Sequence, residues 1–115
     1  SCTKYISGHN DLIAGLALVN NDCYAGDLWK CRSTNGTIID PLASYFLLRS
    51  LRTYDLRITK MLCTTNAILE MISASSVVDK IFYPGFGEDL VTNNCYKKFF
   101  SHGGSVLTFS VKARY

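Results

Sequence analysis

The chain opens with the stretch on which its interpretation depends, Ser1-Cys2-Thr3-Lys4-Tyr5-Ile6-Ser7-Gly8-His9-Asn10-Asp11. A single lysine lies among small hydroxyl residues, ahead of a Gly-His-Asn-Asp turn and an apolar run at 12–19. A lysine amine condenses with aldehydes, and burial or a neighbouring cation makes it a base or nucleophile. Hydroxyls and backbone N–H groups are suitable ligands for a phosphate. Lys4 is therefore a candidate Schiff-base lysine beside a candidate phosphate site.

The same residues also fit a serine-acylase motif, S-x-x-K, with Ser1 as nucleophile and Lys4 as its base. That motif opens a helix and requires S-D-N and K-T-G partners. Neither partner occurs in the sequence, and Gly8 follows too soon for a regular helix. The acylase interpretation is therefore the weaker one.

Other candidate sites have less support. His9, His102 and the cysteines show no recognised metal-ligand spacing, so buried thiols and turn histidines are the simpler interpretation. The basic and aromatic residues at 97–100 are typical of a solvated face beside a core face. Asp11 follows a turn and is expected to accept hydrogen bonds from backbone N–H groups.

The composition indicates one globular domain at most, with 115 residues, 48% hydrophobic and 18% charged. A chain of this length could bury about 65% of its unfolded surface around a core of its own. A net charge of +3 gives no warrant for a nucleic-acid or membrane partner. Five cysteines without a C-x-x-C pair favour reduced thiols, and hence a cytoplasmic location.

The hydrophobic pattern predicts alternating strands and helices. The length of the apolar run at 12–19 suits a buried strand, although its periodicity is also compatible with a short helix. Residues 23–33 are predicted to form a helix with Leu28 and Trp29 facing inward. Asp40 and Pro41 are a typical helix start, for a helix ending near residue 52. A third helix is expected over 55–74, with Tyr54 as the joint, and strands are expected at 77–83 and 106–111.

The opening stretch resembles the cofactor-lysine segment of the Cys/Met-metabolism family of pyridoxal-phosphate enzymes. That family includes cystathionine γ-lyase, cystathionine γ-synthase, cystathionine β-lyase and methionine γ-lyase, and its pattern is roughly S-x-T-K-Y/F-x-x-G-H-S/G-D. Later stretches are similar in order and spacing: 48–53 followed by Leu56-Arg57, Asn66-Ala67, Tyr83-Pro84-Gly85, and Gly103-Gly104 before 107–112. Asn10 and Ser50 depart from the family pattern.

The resemblance implies an α/β fold of fold type I. Residues 1–54 would end the large pyridoxal-phosphate domain of an aminotransferase-like enzyme, and residues 55–115 would begin its α+β C-terminal domain. Lys4 would carry pyridoxal 5'-phosphate covalently, and Ser1 and Thr3 would bind its phosphate. The implied reaction is β- or γ-elimination or replacement on a small sulfur amino acid, in a homotetramer.

Much of the family's catalytic equipment lies outside the matched segment, upstream of the lysine or downstream of the last strand. We therefore expect the chain to be an excerpt of a longer enzyme and to be inactive alone. The alternative is a degenerate or truncated homologue with a structural or partner-binding role and no catalysis. Pocket residues that separate lyases from synthases are not among these 115 residues, so the subfamily stays open.

Overall fold

The computed structural model describes residues 1–87 and 90–112, without the side chains of residues 90–93. The chain divides into two compact units, Ser1–Arg57 and Ile58–Tyr115. The first contains α1 (Asp22–Asn35), α2 (Pro41–Leu51) and the start of α3 (Tyr54–Ser73). The second contains the rest of α3, then β1 (Val78–Phe82), α4 (Leu90–Phe99) and β2 (Thr108–Val111). Helices and strands are therefore mixed in this chain, as the sequence predicts.

The first helix, α1, begins and ends at residues suited to those positions. The Asn21 side chain accepts a hydrogen bond from Cys23 N at 2.8 Å, and Gly36 ends the helix at φ +67°. The predicted helix at 23–33 is confirmed, but its predicted inward face is wrong. Leu28 is 42% and Trp29 67% exposed. The reason is that no other described helix or strand packs against α1.

The strand predicted at 12–19 is also wrong, since residues 12–19 adopt no regular secondary structure. Backbone hydrogen bonding holds only the beginning of this segment, where Cys2 N donates to Ala14 O at 2.9 Å. Leu12 is buried, whereas Ile13 and Leu18 are almost fully exposed. A strand needs a neighbouring strand for its backbone hydrogen bonds, and none of residues 1–57 is in a strand.

The second helix starts as predicted, with Pro41 in its first turn and Asp40 as N-cap. The Asp40 carboxylate accepts hydrogen bonds from Leu42 N at 2.9 Å and Ala43 N at 3.0 Å. These bonds satisfy two of the four N–H groups that a helix leaves unpaired at its N-terminus. The predicted break between two helices is confirmed, but it lies at residues 52–53, and Tyr54, the predicted joint, is the first residue of α3.

Replacement of Asp40 by alanine is expected to lower the free energy of unfolding by about 1 kcal/mol, because two backbone N–H groups lose their acceptor. Denaturant unfolding of the full-length product of the gene checks this. Asp27→Ala is the matched control, since Asp27 is an exposed carboxylate inside α1. Equal effects of the two substitutions would contradict the capping role.

The second unit is built around a two-stranded antiparallel sheet of β1 and β2. Ile81 pairs with Phe109 and Phe82 with Thr108. Tyr83, which follows β1, donates its hydroxyl proton to Gly104 O at 2.8 Å. Burial, and to a lesser degree the nearby Tyr96, raises the pKa of the Tyr83 hydroxyl, which keeps it a donor.

The apolar core is small for a chain of this length. Among the described residues, the only buried apolar side chains are Cys2 and Leu12. The solvent-accessible surface is 9476 Å². One folded monomer of this size would expose about 6,300 Å², and two separate folded units of half the size about 7,600 Å². The expectation of a core sufficient for this chain is therefore wrong.

Candidate functional site

The loop that carries Lys4 is a compact turn closed by its own backbone. Residues 3–7 form the turn. Ser7 N donates to Cys2 O at 2.8 Å, and Gly8 N donates to Lys4 O at 2.6 Å. Cys2 is only 2% exposed and anchors the start of the turn, whereas the Lys4 side chain is exposed. The fold thus fixes the Lys4 backbone and leaves its amine accessible.

Thr3 is held by the segment that follows the loop. Its hydroxyl accepts a hydrogen bond from Ala14 N at 3.0 Å and donates to Ala14 O at 3.3 Å. A hydroxyl has a single hydrogen to donate. Thr3 therefore cannot donate to a phosphate in this arrangement unless it gives up its longer bond to Ala14 O.

The residues present fit pyridoxal phosphate in their donor chemistry. Ser1 and Lys4 are exposed, so a hydroxyl and an amine are both accessible. Within the described part of the chain, the N–H groups of residues 3–6 make no hydrogen bond. A turn with consecutive unpaired N–H groups is suited to an anion such as a phosphate. Of the two predicted phosphate ligands, Ser1 is accessible, whereas the hydroxyl of Thr3 is hydrogen-bonded to the backbone of Ala14.

A hydrogen-bond network lies immediately after Lys4, and the sequence does not predict its buried centre, Ser7. Ser7 is fully buried, and its hydroxyl donates to Asp11 Oδ1 at 3.1 Å. Asp11 thus accepts from a side chain, where the sequence predicts backbone N–H donors. His9 Nδ1 lies 2.7 Å from Ser7 O and 3.3 Å from Ser50 Oγ. A carbonyl only accepts, so His9 carries a proton on Nδ1.

Arg57 is the second unpredicted residue at the loop. It donates to the backbone carbonyls of Tyr5 at 3.0 Å, Ile6 at 2.9 Å and Ser50 at 3.0 Å. Some fifty residues separate Arg57 from the loop, so no local pattern predicts the contact. The signal in the sequence is Leu56-Arg57, one of the stretches in which the chain resembles the family pattern.

Two grooves border the loop within the first unit. One, of about 390 Å³, is lined by His9, Asp11, Phe46, Arg49, Ser50, Arg52 and Thr53. The other, of about 540 Å³, includes Thr3, Asn10 and Asp11 in its lining. Lys4 lines neither groove. The described residues alone do not enclose the Lys4 amine.

The alternative sites gain no support from the structure. Residues 3–7 form a turn, and none of residues 1–7 is helical, whereas S-x-x-K chemistry requires a helix at that position. Over residues 1–87 and 90–112, no three His, Cys, Asp or Glu side chains are grouped so that they could hold a metal ion. All five cysteines are free thiols, and only Cys2 is buried. No helix in the described ranges is both long and apolar enough to cross a membrane.

The chain is similar to known enzymes along its whole length. It is 28% identical to cystathionine beta-lyase MetC of Bacillus subtilis, over 99% of this chain and 29% of that protein. Cystathionine gamma-lyase of Lactobacillus plantarum, solved with L-serine, superimposes with a TM-score of 0.87 at 26% identity, over 97% of this chain and 29% of the solved one.

A methionine gamma lyase of Micromonospora echinospora, CalE6, superimposes with a TM-score of 0.86 at 28% identity, over 96% of this chain and 30% of the solved one. The chain thus spans under a third of the length of these relatives. The model of one family, described as Cys/Met metabolism PLP-dependent enzyme, matches residues 1–115. The chain therefore belongs to the pyridoxal-phosphate-dependent enzymes of cysteine and methionine metabolism.

Proposed function

We propose that Lys4 is the residue through which this enzyme holds pyridoxal phosphate. The observation that carries the proposal is the exposed Lys4 amine on a turn whose backbone is fixed at both ends. Because the backbone that carries the amine is already fixed, little further conformational entropy is lost when the amine meets an aldehyde. The family match over the whole chain supplies the identity of the aldehyde.

The cofactor's phosphate would be bound by Ser1, by Thr3 and by the free N–H groups of the turn. Ser1 is accessible without any change. Thr3 takes part by turning its hydroxyl hydrogen from Ala14 O to the phosphate while it continues to accept from Ala14 N. This exchange replaces a 3.3 Å bond to a neutral oxygen by a charge-assisted one, which is the stronger kind.

The substrate would be a small sulfur amino acid, and the reaction would break or replace a carbon–sulfur bond at its β or γ carbon. When bound, the cofactor supplies an electron sink for the substrate's α-carbon. The Lys4 amine would remove and return the proton at that carbon, which is general acid–base catalysis by a group held close to the reacting atom. The hydrogen bonds around Ser7 help to fix the loop backbone that carries this lysine.

We further propose that these 115 residues supply the lysine segment of a longer enzyme and have no turnover alone. The chain covers under a third of its relatives' length, and its grooves do not enclose Lys4. Residues 1–54 would belong to the large cofactor domain and residues 55–115 to the C-terminal domain. We propose that the enzyme is a cytoplasmic homotetramer.

A turnover assay tests this function. The full-length product of the gene and the 115-residue chain are each supplied with pyridoxal phosphate and with cystathionine or methionine, and released thiol and 2-oxo acid are measured. We expect release by the full-length protein only. Release by the short chain would contradict its proposed dependence on further residues. No release by either, with every sulfur amino acid tried, would favour the structural homologue instead.

A further inference from the structure

Arg57 is the fourth residue of α3 and is half-buried. Its side chain is first fixed by its own helix end, because Nε donates to Thr53 Oγ1 at 3.2 Å. Thr53 lies one turn earlier, and its carbonyl accepts from Arg57 N at 3.0 Å. The guanidinium is therefore held by a local contact in addition to its long-range ones.

The two ends of the guanidinium join the lysine loop to the end of α2. Nη1 donates to Tyr5 O at 3.0 Å, and Nη2 donates to Ile6 O at 2.9 Å and Ser50 O at 3.0 Å. The described hydrogen bonds of this side chain all go to neutral oxygens. Tyr5 and Ile6 are the two residues that follow Lys4, so the fork holds the backbone directly after the lysine.

Gly8 leaves room for this contact. The residue has φ +75°, and a Cβ built on it would collide with Nη1 and lie 2.6 Å from Cζ of Arg57. The guanidinium thus occupies the space in which any other residue would place its side chain. The same Gly8 donates its N–H to Lys4 O at 2.6 Å, so the loop and Arg57 fit each other closely.

We propose that Arg57 is a positioning residue for Lys4: it fixes the turn so that the Lys4 amine is presented to the cofactor's aldehyde. The inference deepens the proposed function of Lys4 and rests on it. Lysine cannot replace Arg57, because one ammonium on a flexible stem does not bridge consecutive carbonyls and a helix end together.

The test uses the full-length product of the gene with Arg57→Met, Arg57→Lys, and Arg32→Met as control. Arg32 lies in α1 over the Trp29 ring at 4.9 Å and makes no described hydrogen bond to the loop. Two quantities are measured. One is amide hydrogen exchange of the cofactor-free protein at residues 2–8, where Ser7 N and Gly8 N are bonded. The other is the rate at which pyridoxal phosphate and borohydride label Lys4, relative to exposed Lys30 in the same molecule.

We expect Arg57→Met to raise exchange in the loop at least ~10-fold, because hydrogen bonds to a charged group are lost. The Lys4 labelling rate should fall ~10-fold or more while Lys30 is unaffected, since each 1.4 kcal/mol of lost positioning is about tenfold. Arg57→Lys should restore neither quantity fully, and Arg32→Met should change neither. If Arg57→Met raises exchange throughout α2 as well, the comparison rests on Arg57→Lys. A Lys4 labelling rate below wild type in Arg57→Lys then supports the positioning role, and a wild-type rate contradicts it.

Lys4 labelling at the wild-type rate in both Arg57 variants would overturn the role of Arg57, even if loop exchange rises. Absence of Lys4 label in the wild-type protein is a different result, because it overturns the proposed function itself. Loop exchange in the cofactor-free protein then still reports whether Arg57 fixes the turn.

Discussion

Replacement of Lys4 by alanine is expected to lower kcat of the full-length enzyme by at least ~10³-fold. A positioned proton-transfer group alone contributes about 10²–10⁴-fold, and the substitution would also remove the proposed covalent attachment of the cofactor. The thermal midpoint should stay within the range of ordinary surface substitutions, because the Lys4 side chain is exposed and makes no described hydrogen bond. Steady-state kinetics and thermal unfolding of the same preparations measure both effects.

Two further substitutions separate the chemistry of the amine from its charge. Lys4→Arg keeps the positive charge, but a guanidinium does not lose its proton in proteins and so cannot transfer one. It should therefore be as inactive as Lys4→Ala. Lys30→Ala removes an exposed lysine of α1 and should retain activity. Substantial turnover by Lys4→Arg would mean that Lys4 acts only through its charge, and would contradict its proposed role in proton transfer.

The isolated 115-residue chain is expected to lack a cooperative unfolding transition. Its surface of 9476 Å² exceeds the about 7,600 Å² expected even of two separately folded halves. Large apolar side chains are exposed in both units, among them Ile13, Leu18, Trp29, Leu56 and Phe109. Apolar burial is the main favourable contribution to folding. We therefore expect a free energy of unfolding below ~1 kcal/mol, against the roughly 5–15 kcal/mol of ordinary domains.

Circular dichroism, thermal unfolding and binding of a dye that fluoresces on apolar surfaces measure this, with the full-length product as control. The short chain should show a weak near-ultraviolet signal and strong dye fluorescence, and the full-length protein the reverse. A sharp two-state transition of the short chain, independent of its concentration, would show that these residues form a self-sufficient domain. The proposed dependence of the site on further residues would then lose its physical basis.

The local features of the fold are predictable because their causes are local. The Asp40-Pro41 start of α2 and the Asn21 and Gly36 ends of α1 follow from side chains that bond or terminate the adjacent backbone. The strand β1 ends before the predicted Pro84-Gly85 turn. Wrong predictions include the strand at 12–19 and the burial of one face of α1. Leu28 and Trp29 have an apolar pattern but no described element packed against them.

The residues of the candidate site also fall into those that the sequence predicts and those that it does not. Ser1, Thr3 and Lys4 are selected because the opening stretch resembles the cofactor-lysine segment of the family. The roles of Ser7 and Arg57 depend on where residues distant in the sequence meet, which hydrophobic periodicity does not encode. Thr3 shows a further limit, since the bonding of its hydroxyl to Ala14 depends on the path of residues 12–14.

Peptide mapping after borohydride reduction is the most direct test of the central claim, that Lys4 holds the cofactor. The full-length product is loaded with pyridoxal phosphate, reduced so that the link between amine and aldehyde becomes permanent, and digested for mass spectrometry. We predict one stoichiometric label, on Lys4, and only slow, substoichiometric label on exposed lysines such as Lys30 and Lys60. A stoichiometric label on a different lysine, or no specific label at all, would contradict the assignment of Lys4 as the cofactor lysine.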